Sequence, residues 1–201
     1  TLINRSSSIA FYMVTLVGVP IMCNIHFVLD IWLVTPPAYA YAFCVLIIIF
    51  QLIDTLQSPF NTLIFASNRI KEYNIWLSSI LIMNIVISSI LLSKGVSPIC
   101  VPATMVVLNT ITGILRLIHI KYFMDIDLSV FFKRNLPKML AVLVLSIIVS
   151  LLFNRFSLNV RLNCFFSTGM SFIITFGIIW LLGLSKNERK EIIRIVKAKI
   201  K

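Results

Sequence analysis

The stretch YAYAFCVLIIIFQLIDTLQSPFNTLIFA, Tyr39 to Ala66, decides what kind of molecule this is. Its first half is an unbroken apolar run, and its second half keeps the apolar background while inserting Gln51, Asp54, Gln57, Ser58 and Asn61. About 20 helical residues cross a hydrocarbon layer of roughly 30 Å, so the run is long enough to span. A passive anchor has no use for those five polar groups.

The same character extends to the whole chain. Of its 201 residues 59% are hydrophobic, the mean hydropathy is +1.01, and yet 18 Lys and Arg stand against 7 Asp and Glu. No soluble domain of this size folds around so much apolar surface, which must face lipid. Six runs are long enough to cross: residues 8–29, 38–66, 73–92, 98–120, 136–153 and 164–184, designated spans A to F. They are continuous rather than short and alternating, so helices and not a closed barrel satisfy their backbone. The expected fold is all-α, a polytopic membrane bundle of six transmembrane helices followed by a basic tail, 185–201.

Short cytoplasmic loops retain Lys and Arg. One set of span ends holds Arg5, Arg69, Lys71, Arg116, Lys121, Lys133, Arg134, Lys138 and the seven cations of the tail, whereas the other holds Lys94, Arg155 and Arg161. Both termini are therefore expected in the cytoplasm, and the +11 net charge reports topology and anionic lipid rather than nucleic acid. The tail SKNERKEIIRIVKAKIK puts Ile192, Val196 and Ile200 on one helical face and Lys190, Arg194, Lys197 and Lys201 on another. It reads as an amphipathic anchor on the inner leaflet or as a solvated charged tail. The loop KYFMDIDLSVFFKRN between spans D and E reads equally as an interfacial helix or a plain loop. The chain begins at Thr1 without a signal-peptide cleavage site, so it is expected to be a piece of a longer protein.

Within span B, Gln51, Asp54, Ser58 and Asn61 fall at i, i+3, i+7 and i+10 and share one helical stripe. Asp54 lies roughly 24 Å from Ala38 along the helix. An ionised carboxylate facing lipid at that depth is costly, so it needs a wet cavity, a partner or a proton. Pro59 marks a point where the helix is expected to break, as in the interrupted helices of transporters. Span D repeats the pattern with Asn109, Thr112, Arg116 and His119. Arg116 has two readings: it faces a cavity, where an ion pair with Asp54 is open to it, or it snorkels to lipid phosphate. In span C, Asn84 and Ser88 read as interhelical hydrogen-bonding groups.

The residues also argue against several classes. Cys23, Cys44, Cys100 and Cys164 lie singly and read as small buried hydrophobes. His26 and His119 belong to opposite surfaces, so no metal site is expected. No GxxxxGK loop, Ser-His-Asp set or carboxylate pair is present, so neither a nucleotide nor another cofactor is expected, and the chain does not read as an enzyme.

SPFNTLIFASNRIKEYNIW (Ser58–Trp76), KGVSP (Lys94–Pro98), RLIHIKYF (Arg116–Phe123) and LGLSKNERKEI (Leu182–Ile192) together resemble the C-terminal part of bacterial polysaccharide flippases, in the multidrug/oligosaccharidyl-lipid/polysaccharide exporter superfamily. The resemblance covers the chain from Asp30 onward. It implies the second half of a two-bundle transporter that flips undecaprenyl-diphosphate-linked oligosaccharide repeat units across the bacterial inner membrane by alternating access. It implies as partners the lipid-linked oligosaccharide, membrane lipids and polysaccharide polymerase machinery, and no nucleic acid. The family's cavity is cationic, and Arg116 is the one basic residue on a polar stripe within a span of this chain. The residues expected on the substrate path are Gln51, Asp54, Ser58, Asn61, Asn109, Thr112 and Arg116. Ser67-Asn68 departs from the small residue, often Gly, that the pattern has in this turn. A drug exporter of the same superfamily and a membrane-embedded polymerase or transferase remain as rivals; short outer loops carrying only Asp30 among acids argue against the latter.

Overall fold

The computed structural model describes residues 2–33, 35–65, 70–123, 131–156, 161–184 and 189. Every regular element among them is helical: α1 (Leu2–Cys23), α2 (Ile25–Trp32), α3 (Ala40–Phe65), α4 (Ile70–Ser93), α5 (Cys100–Phe123), α6 (Leu136–Phe156) and α7 (Arg161–Ile178). A π-helical turn, Phe131–Asn135, leads into α6, and a second, Ile179–Gly183, ends α7. Five helices are long and apolar enough to cross a membrane, and α1 with α2 makes a sixth if that bent pair is one span. The protein is an all-α, multi-pass bundle. The connections around 66–69, 124–130 and 157–160, and the tail apart from Arg189, lie outside the described residues, and with them the proposed interfacial loop helix and amphipathic anchor.

Span A does not run straight from 8 to 29. It breaks at Asn24, and α2 leaves α1 at 81°. The cause is local. Beyond the Pro20 that α1 carries inside it, helical geometry is lost at Asn24 (φ −115°, ψ 26°). Its side-chain amide donates to the Pro20 carbonyl at 3.0 Å, while its carbonyl starts α2 by accepting from Val28 N–H. Ile25 and Leu29 are buried in this arrangement, and at its other flank His26 packs on the Tyr41 ring at 4.0 Å while Tyr41 O–H donates to Asp30 at 2.7 Å. Pro59, the expected break, sits inside an uninterrupted α3. The N–H that Pro20 lacks would have bonded one turn earlier, inside α1, so neither proline interrupts its helix and the bend belongs to Asn24.

α1 is the hub, packed against α3, α6 and α7. Phe11 and Tyr12 of α1 meet Leu52 of α3, Met139 and Val142 of α6, and Ile179 and Leu184 at the end of α7. Gly183 faces the Tyr12 ring, where a Cβ would come within 3.1 Å. α5 packs on the other side of α3, and α4 packs on α5 while barely touching α3. A second core, Phe60, Ile64, Tyr73, Ile120 and Phe131, ties α3, α4 and α5 together at the end that carries Lys71, Lys121 and Lys133. Farther along, α4 exposes apolar residues almost all round, among them Ile75, Leu81, Ile82, Met83, Ile85 and Val86, as a helix bathed in lipid does.

Candidate functional site between α3, α4 and α5

α3 and α5 run side by side toward the lysine-rich end, and polar side chains bridge them. Gln57 of α3 donates from Nε2 to the Asn109 carbonyl of α5 at 3.1 Å, using the second lone pair of an oxygen already in a helix ladder. Its Oε1 accepts from Nη1 of Arg116 at 2.8 Å. So close an approach depends on Gly113: a Cβ there would lie 2.5 Å from the Gln57 amide carbon. Asn109, Gly113 and Arg116 at i, i+4 and i+7 form one face of α5 against which Gln57 lies flat.

α4 joins through Tyr73. Arg116 Nε donates to the Tyr73 hydroxyl at 2.6 Å, and that hydroxyl donates to Asn61 Oδ1 at 2.7 Å. Arg116 is only 5% exposed, so it does not snorkel to the surface. Its two hydrogen-bond acceptors are both neutral. No ion pair joins it to Asp54, whose carboxylate makes no hydrogen bond or ion pair among the described residues. A guanidinium desolvated without a counterion carries a penalty of several kcal/mol, relieved when an anion approaches.

The space such an anion could use is present. A cavity of about 220 Å³ lies where α4 diverges from α3, lined by Phe50, Asp54, Asn84, Asn109, Thr112 and Arg116 among others. At its rim, Thr104 of α5 donates to Asn84 Oδ1 and contacts the Ser88 hydroxyl, each at 2.9 Å, so Asn84 and Ser88 do bond across α4 and α5. A second cleft of about 270 Å³ lies between α4 and α5 and shares Leu77, Ile80, Thr112 and Arg116 with the first. Arg116 therefore stands at the junction of the two.

The stripe on α3 is divided. Asp54 lines the cavity, and Asn61 is spent on Tyr73. Gln51 turns instead into a separate apolar groove of about 600 Å³ between α1, α2 and α3, and Ser58 is exposed. On α5, Arg116 and Asn109 reach the cavity, but the Thr112 hydroxyl donates back to Leu108 O at 2.8 Å. His119 lines the α4–α5 cleft rather than the cavity. Cys23, Cys44 and Cys100 form no disulfide among the described residues. Gln57 and Tyr73, which position the cation, were not among the expected site residues. The signal for Gln57 was Gly113: a glycine one turn from both Asn109 and Arg116 marks a place where a neighbouring side chain presses on the backbone.

No protein-family model, curated protein or solved structure matches this chain.

Proposed function

We propose that the bundle exports a lipid-linked oligosaccharide, flipping undecaprenyl-diphosphate-linked repeat units across the bacterial inner membrane by alternating access, without catalysing a covalent step. In this reading the lysine-rich end faces the cytoplasm with both termini, and polysaccharide polymerase machinery takes the product on the other side. One observation carries it: Arg116 is a buried cation whose partners among the described residues are all neutral, at the edge of a cavity inside a membrane bundle. Such a group attracts an anionic headgroup, and a diphosphate answers it with bidentate hydrogen bonds. Asp54 and Asn84 line the same cavity and offer an acceptor and an amide to sugar hydroxyls.

The test is made on the complete protein in cells. Arg116→Gln is expected to abolish surface polysaccharide and to trap repeat units on the cytoplasmic leaflet. Wild-type export by Arg116→Gln would refute the reading. A second reading, a drug exporter, is favoured by Asp54, a carboxylate without a partner among the described residues and suited to a cationic substrate. It requires Asp54→Asn to raise drug sensitivity while surface polysaccharide stays normal.

A further inference from the structure

We infer that the cleft between the lysine-rich halves of α4 and α5 holds the phosphodiester of a membrane glycerophospholipid, reached sideways from the bilayer. A guanidinium has five N–H donors. Arg116 directs one to Tyr73 and one to Gln57, and the others have no acceptor among the described residues. Nη2 is nonetheless not sealed off in the interior, and the open spaces beside Arg116 are the cavity and this cleft.

The walls of the cleft suit an amphiphile. Leu77, Ile80, Leu115 and Ile118 make its sides apolar, and polar groups gather where Arg116 lies. Trp76 is 65% exposed, Ile118 47% and Leu115 40%, so the mouth opens on the flank of the bundle where acyl chains run. Arg116 is seven residues from the end of α5, about 10 Å along the axis at 1.5 Å per residue. A lipid phosphate at the membrane surface has only that far to sink. Lys71 and Lys121 are exposed at the same end, which draws anionic phosphate toward the mouth. Glu72 lines the cleft on α4. His119 lines the same rim. The lipid phosphate and the proposed substrate diphosphate are alternative counterions for the one guanidinium, the lipid holding it when substrate is absent.

The experiment is native mass spectrometry of the whole protein extracted in mild detergent and titrated with phosphatidylethanolamine, with diacylglycerol and inorganic phosphate as separate probes. One phospholipid is expected to stay bound, with retention reduced about tenfold or more in Arg116→Gln. Leu115→Trp, which fills the cleft and leaves the Arg116 bonds to Tyr73 and Gln57 intact, is expected to show the same loss. Equal retention by both variants, each folded by circular dichroism and size-exclusion chromatography, would overturn the inference. So would diacylglycerol binding as well as the phospholipid, which would make the cleft merely greasy, or displacement by an equal concentration of inorganic phosphate, which would make it a site for a free anion.

Discussion

Two regions of this bundle bury polar side chains, and they do so in opposite ways. Between α3, α4 and α5, long groups reach across helices and are joined in series: Asn61, Tyr73, Arg116, Gln57 and the Asn109 carbonyl. Along α6 and α7, Ser146 and Ser150 of α6 and Ser167, Ser171 and Thr175 of α7 are at most 2% exposed, and their hydroxyls have no hydrogen-bond partner among the described residues. The four-residue spacing of these small groups lets helix backbones approach closely, as small residues do in membrane interfaces. Polarity alone therefore does not mark a site in a membrane helix. Reach does, together with a valence left unspent.

The sharpest way to break the first region is to fill the space it depends on. Gly113→Leu drives a side chain into Gln57, and overpacking of this kind costs about 1–3 kcal/mol or more. Because α3 and α5 have no room to separate without parting Gln57 from Arg116, the upper end of that range is expected. Thermal unfolding in detergent should register it as a larger loss than any other substitution in either polar region. Tyr73→Phe is milder. It removes a donor to Asn61 and an acceptor from a charged group, and the charge-assisted bond dominates at about 1.5–3 kcal/mol in general and toward the lower end where partners can rearrange. It should lower the unfolding midpoint less than Gly113→Leu, and Tyr73→Phe with Asn61→Ala should cost little more than Tyr73→Phe alone.

That contrast also explains how much of the molecule is legible in its sequence. Apolar run length fixes the spans because lipid imposes it, so α3 to α7 fall close to their expected positions. Helical periodicity also places Asp54, Asn109 and Arg116 toward a common space. It fails where a neighbour decides the outcome. Gln51 is on the Asp54 side of α3 by spacing, yet α1 and α2 turn it into another groove. Asn24 and Pro59 show the same limit for the backbone: the proline inside α3 leaves that helix whole, while the chain bends by 81° at Asn24. Tyr73 opens a span, and only the packing of α5 brings Arg116 against it.

The smallest expected effect sharpens the comparison most. If the hydroxyls of α6 and α7 serve packing, Ser171→Ala and Ser150→Ala keep the small volume and remove an unpartnered polar atom, so stability should not fall. Even an average interhelical side-chain hydrogen bond in a membrane is worth only about 0.6 kcal/mol, so the paired substitution Ser150→Ala with Ser171→Ala is needed to accumulate a readable signal. No loss in the pair, beside a clear loss in Ser171→Leu from the same unfolding measurement, would establish that size and not polarity selects these positions. A loss in the alanine pair comparable to that of Tyr73→Phe would instead mean that the hydroxyls find partners in the membrane, and α6 and α7 would join α3 to α5 as a second bonded polar region.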